Sequence, residues 1–334
     1  MSCSLKLALL GAYCQTAQAF LEQDLAGSWT IGSWSPQDTD DELASLMLGA
    51  DAVVVGADAL LSGRVFTALK IPSLRLLQIP FSGHEWLQKD MLADNCVACN
   101  VYTHGSTIAE YVMAAILQLE LKLSVIDADF RAGSWRYGGS VAIGERHGEI
   151  AEKTIGIIGY GDIGQGVAQR ARAFDMNVIA LARTRRDAPA PLSWLGGFAD
   201  LEELLSRSDF VVLACPANEE TTAMINADRL GKMKSSAVLI NVARGQVCDE
   251  GDLFQALSDR VIAGAVLDTW YQYPTPENNS PKPSQFPFET LNNVLMTPHC
   301  AAWSEAHHQR RWCKVSENLR NLEAGEPLND QISV

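Results

Sequence analysis

Residues Thr154–Asp187 read TIGIIGYGDIGQGVAQRARAFDMNVIALARTRRD. Thr154–Ile158 is an unbroken run rich in β-branched residues, the composition of a strand buried on both faces. Gly159, Gly161 and Gly164 follow it at once as G-x-G-x-x-G. A helical pattern then covers Ile163–Phe174, and a second strand-like run covers Asn177–Leu181. In such a unit the first glycine makes the tight turn. The second lets the backbone approach a pyrophosphate, and the third lets helix and strand pack closely. The helix starting near Ile163 aims its first amides and its dipole at that phosphate, which adds Asp162 and Ile163 to the binding residues. The glycine pattern alone is weak. Set between a strand and a helix inside a βαβ unit, it predicts a dinucleotide site.

The end of the second strand addresses which dinucleotide. A unit that binds NAD usually carries an acidic residue there, about 20 residues past the glycines, for the ribose hydroxyls. Here Ala182 and Arg183 hold the place, and Arg183, Thr184, Arg185 and Arg186 precede the first carboxylate, Asp187. A carboxylate repels a 2′-phosphate and a guanidinium binds one through two parallel hydrogen bonds. The cluster therefore predicts NADP(H) in preference to NAD(H); the competing reading is an ordinary hydrated face.

Outward from this unit the strand–helix alternation continues. Strand-like runs lie at Lys6–Leu10, Ala52–Val55, Leu76–Ile79, Phe210–Ala214, Ala237–Asn241, Ile262–Leu267 and Val294–Met296. Helical patterns lie at Asp41–Leu48, Leu201–Ser206 and Asp249–Leu257. This predicts an α/β fold of doubly wound parallel sheets covered by helices. A long helical pattern, Thr107–Phe130, separates two groups of runs, and 334 residues suit two domains. The chain is 47% hydrophobic with a net charge of −14, which argues against a general binder of nucleic acid or anionic membrane. No run reaches the ~20 apolar residues of a membrane helix. The apolar start LKLALLGAY is too short for a signal-peptide core, so a cytoplasmic protein is expected. The eight cysteines are scattered, as in a reducing compartment. Cys96 and Cys99 form a CxxC with no second ligand pair close by, so no metal is expected.

Three downstream stretches complete a pattern: LINVARGQVCDEGDL from Leu239, AGAVLDTW from Ala263 and NVLMTPHCAAW from Asn293. With the glycine fingerprint, AEYVMAAIL from Ala109, GSW from Gly133 and QIPFSGHEW from Gln78, the chain resembles the D-isomer-specific 2-hydroxyacid dehydrogenase family over nearly its whole length. The resemblance implies two doubly wound domains, Rossmann-like and flavodoxin-like, with a cleft between them. Residues 1–103 and 300–334 would form a discontinuous substrate domain and residues 104–299 the cofactor domain. It also implies a homodimer.

The residue types suit reduction of a 2-keto acid, in which C2 takes a hydride and the oxygen a proton. The site needs a fixed cation for the carboxylate and the developing oxyanion, and a proton donor that titrates near neutrality. Arg244, in Asn-Val-Ala-Arg-Gly, matches the family arginine. His299, in Thr-Pro-His, matches the family acid/base. By resemblance, backbone amides around Ser82 and Gly83 hold the substrate carboxylate, and Asp268 holds the nicotinamide carboxamide. One departure stands out. The family usually reads Asp-Val-Phe-x-x-Glu-Pro, with the glutamate paired to the histidine. This chain reads DTWYQYP, Asp268–Pro274, so Tyr273 stands in the glutamate's place unless Glu277 is brought in by a gap. The leading expectation is a glyoxylate- or hydroxypyruvate-type reductase. The alternatives are a formate- or phosphite-type dehydrogenase of the same family and a non-catalytic, dinucleotide-sensing corepressor.

Overall fold

The computed structural model describes residues 4–25, 27–84, 86–139, 144–183, 187–275 and 278–332. The chain divides into two compact units, Met1–Thr103 with Thr275–Asn279 and Ser304–Val334, and His104–Pro274 with Ser280–Trp303. The expected boundary at residue 300 falls just before the division at Ser304.

The first unit is built on a five-stranded parallel sheet. Its strands are β1 (Leu5–Leu10), β2 (Trp29–Trp34), β3 (Ala52–Val55), β4 (Leu76–Gln78) and β5 (Val97–Cys99), in the order β2-β1-β3-β4-β5. The apolar run of β1 alternates between two cores. Ala8 and Leu10 join Val53, Val55 and Leu77 on one face. Leu7 and Leu9 join Val54, Leu76 and the C-terminal helix Glu305–Ala324 on the other, through Trp312, Val315 and Leu319. A strand covered on both faces must be apolar at every position, which is why it reads as a continuous run.

The second unit holds seven parallel strands: β6 (Thr154–Ile158), β7 (Asn177–Leu181), β8 (Trp194–Gly196), β9 (Phe210–Leu213), β10 (Val238–Asn241), β11 (Gly264–Leu267) and β12 (Val294–Met296). Their order is β12-β11-β10-β9-β6-β7-β8. The chain runs one way from β6 to β8, then returns to the other side of β6 through β9. Ligands of open parallel sheets bind beyond the carboxyl ends of the strands at such a reversal.

Two expectations are corrected. Strands β2, β5 and β8 lie in stretches not expected to be strands, and all three are sheet margins. A marginal strand is wetted along one side and needs no apolar run; β2 has the mixed sequence WTIGSW. The expected single helix Thr107–Phe130 is two helices, Gly105–Leu121 and Leu123–Arg131, broken at Lys122, whose φ of 53° is left-handed. The first packs on helix Asp162–Ala173, where Gly166 permits close approach: an added side-chain carbon would lie 3.2 Å from Ala109. The second has no buried residue.

Candidate active site

The cofactor cradle begins at β6. Gly159 has φ of 104°, which a side chain would strain, and an added carbon there would lie 2.5 Å from the carbonyl oxygen of Ala214 after β9. At Gly164 an added carbon would strike the Gly159 carbonyl, so this glycine is what lets the helix sit against the turn. Gly161 faces open space. It is also the N-cap of helix Asp162–Ala173 and supplies no side-chain cap, leaving the first amides for another acceptor. The Asp162 carboxylate at that end accepts the Gly105 N–H at 3.0 Å. Ile163 packs partly into the core beneath.

Beyond β7, Arg183 is exposed and lines a cavity of about 340 Å³ with Phe198, Leu201, Glu220, Met224 and Arg229. Thr184, Arg185 and Arg186 lie outside the described residues. The backbone cradle and the open helix start fit the pyrophosphate of a dinucleotide.

Four expected residues converge at the ends of β10, β11 and β12. Arg244 follows β10 and is half-buried, with Nη1 donating to the Ala243 carbonyl at 2.8 Å. Asn241 shapes this turn, accepting the Ala243 N–H at 3.0 Å and donating to the Arg244 carbonyl at 2.9 Å. Gly245 must be glycine because an added carbon would strike the Trp270 carbonyl. His299 follows β12 in a left-handed conformation, φ 56°, with its N–H donating to the Thr297 carbonyl at 3.0 Å. The ring of Tyr273 lies 5.4 Å from the His299 ring, centroid to centroid. The Tyr273 hydroxyl accepts the Trp270 N–H at 3.1 Å. Glu277 lies outside the described residues.

Asp268, at the end of β11, is 2% exposed. The resemblance assigned it to the cofactor. Its carboxylate accepts three hydrogen bonds from the histidine's own loop: Thr297 Oγ1 at 2.6 Å and the Cys300 N–H at 2.8 Å on Oδ1, and the Ala301 N–H at 3.0 Å on Oδ2.

The charges act on one another. Partial burial holds the His299 pKa below its ordinary value even though part of the residue is solvent-exposed; Asp268 opposes the shift and the Arg244 guanidinium adds to it. Burial likewise raises the Tyr273 pKa, so its phenol is neutral.

In the first unit, Ser82 and Gly83 lie in the half-buried loop after β4. The Ser82 carbonyl is fixed by Asn100 Nδ2 at 2.9 Å. The amides of Ser82 and Gly83 meet no protein acceptor among the described residues.

Sequence reasoning passed over Tyr111 and Thr297, whose hydroxyls lie 2.6 Å apart beneath the histidine loop. Thr297 had a signal, its place in Thr-Pro-His. Tyr111 had none, since 186 residues separate the two.

The model of the D-isomer specific 2-hydroxyacid dehydrogenase family, NAD binding domain, matches residues 113–301. The chain is 30% identical to a glycerate dehydrogenase of Methylorubrum extorquens over 89% of each chain. It is 32% identical to glyoxylate/hydroxypyruvate reductase B of Serratia proteamaculans, over 85% of this chain and 84% of that one. A D-isomer-specific 2-hydroxyacid dehydrogenase family structure from Aeromonas salmonicida superposes with a TM-score of 0.83 at 23% identity, covering 99% of both chains.

Proposed function

The chain belongs to the D-isomer-specific 2-hydroxyacid dehydrogenase family, and from that premise we propose that it is an NADPH-dependent reductase of a small 2-keto acid of the glyoxylate or hydroxypyruvate kind. The observation that carries this reading is the convergence of Arg244, Asp268 and His299 at the carboxyl ends of three adjacent parallel strands. In this reading residues 1–103 and 300–334 serve the substrate and residues 104–299 the cofactor. The amides of Gly161, Asp162 and Ile163 hold the pyrophosphate, and Arg183, with Thr184 and Arg185, holds the 2′-phosphate. When bound, the nicotinamide supplies the hydride that C2 receives.

Arg244 binds the keto acid and draws electron density onto the ketone oxygen, stabilising the charge that develops there. His299 as imidazolium holds the proton at a ring nitrogen and gives it to that oxygen. Asp268 keeps the histidine loop in place and favours the imidazolium. Tyr273 presents a neutral ring to the imidazole. Ser82 and Gly83 bind the substrate carboxylate through their amides. The exposed apolar side chains Leu123, Val125, Phe130 and Trp135 support a homodimer. The cysteines are free among the described residues and mostly buried, which suits a cytoplasmic setting.

The test is a panel of 2-keto acids, glyoxylate and hydroxypyruvate included, with NADPH and NADH followed by absorbance. Turnover of glyoxylate or hydroxypyruvate with NADPH favoured is the expected result; no oxidation of either cofactor with any keto acid overturns the proposal.

A further inference from the structure

Thr297 has every polar group bonded. Its N–H donates to the Leu267 carbonyl at 3.0 Å, and its carbonyl accepts from the His299 N–H at 3.0 Å and from Trp270 Nε1 at 2.8 Å. Its hydroxyl lies 2.6 Å from Asp268 Oδ1 and 2.6 Å from the Tyr111 hydroxyl. The directions of these last two bonds follow from the inventory of hydrogens. An ionised carboxylate only accepts, so the single hydroxyl proton of Thr297 goes to Asp268. Tyr111 must then donate to Thr297. Each bond polarises the next, giving a one-way chain, Tyr111 to Thr297 to Asp268.

This chain ends where the backbone is least comfortable. His299 is left-handed with a β-carbon, a strained conformation that persists only where the surroundings over-determine it. Asp268 fixes the loop after the histidine through Cys300 and Ala301, and Thr297 fixes it before. Tyr111 stands on helix Gly105–Leu121, which is held in the core by Ile108, Val112 and Ile116. It connects that rigid element to the loop.

We infer that Tyr111 is a positioning residue for His299, acting through Thr297 and Asp268. It touches none of the reacting atoms. It holds the imidazole on the line along which the proton is delivered. The inference rests on the reading of His299 as the proton donor.

Tyr111→Phe removes one donor and leaves Thr297 able to bond Asp268, so the fold is kept. We expect kcat for keto acid reduction to fall about tenfold, the scale of a small displacement of a catalytic group. KM for the keto acid, NADPH affinity by fluorescence and Tm stay at their unmutated values. Thr297→Val, which breaks both bonds, lowers kcat further, and Thr297→Ser, which keeps the hydroxyl, restores it. An unchanged kcat in Tyr111→Phe, beside an inactive His299→Gln, overturns the inference. So does a loss of kcat in Tyr111→Phe that comes with a loss of Tm, or a serine variant as impaired as the valine one. Full activity in His299→Gln would instead strike the reading of His299 itself.

Discussion

The imidazole of His299 faces the phenol ring of Tyr273 at 5.4 Å, with the ring planes 55° apart. The phenol oxygen is turned to the Trp270 N–H. A neutral ring cannot favour the imidazolium as a carboxylate does, and burial already holds the His299 pKa below its ordinary value near 6.5. Reduction consumes the imidazolium, which is present below the folded pKa and lost as pH rises through it. The reductive kcat/KM is therefore expected to fall from a more acidic pH than in relatives with the glutamate. Tyr273→Glu raises the pKa and moves the falling limb to higher pH, with the low-pH rate little changed. Tyr273→Phe changes no charge and leaves the limb in place. A limb that moves with Glu277→Gln and ignores Tyr273→Glu would assign the partnership to Glu277.

Arg183 at its cavity sets the cofactor prediction. A hydrogen bond to a charged group contributes about 1.5–3 kcal/mol. Arg183→Ala should accordingly raise KM for NADPH about 10- to 100-fold and leave KM for NADH little changed. Steady-state kinetics with both cofactors checks this. Equal use of the two by the unmutated enzyme would remove its basis.

Arg244 tests the electrophilic side of the site. Arg244→Lys keeps the charge and loses the planar fork. kcat/KM should fall about 10²-fold or more, as on loss of a preorganised oxyanion donor. A lysine variant with near-normal kinetics would place the substrate elsewhere.

The helix Leu123–Arg131 is the basis for the oligomer prediction. Leu123, Val125 and Phe130 are exposed, and Phe130 meets exposed Trp135 edge to face at 5.1 Å. Sedimentation at micromolar concentration should give about twice the 36.3 kDa of one chain. Phe130→Asp combined with Trp135→Asp should give the single-chain mass. An unmutated protein that already sediments at 36.3 kDa contradicts the prediction.

Sequence legibility followed burial. β1, β3, β6 and β9 are covered on both faces, so their apolar runs announced them; β2, β5 and β8 are margins, where mixed residues suffice and no pattern forms. The glycine turn was legible because backbone geometry and phosphate access permit no other residue there. The break at Lys122 was not, since a lysine in a left-handed turn carries no composition signal. Arg244 and His299 stood out because short motifs frame them. Tyr111 looks in sequence like any half-buried aromatic residue on a helix; its role is set by what folds against it.

The break at Lys122 also separates two kinds of helix. The helix before it carries the core contacts beside the glycine turn, and the helix after it carries none. A side chain changed in residues 123–131 leaves every buried position of the preceding helix as it was. Lys122 is thus a joint in the chain, with structural duty on one side of it and an open face on the other.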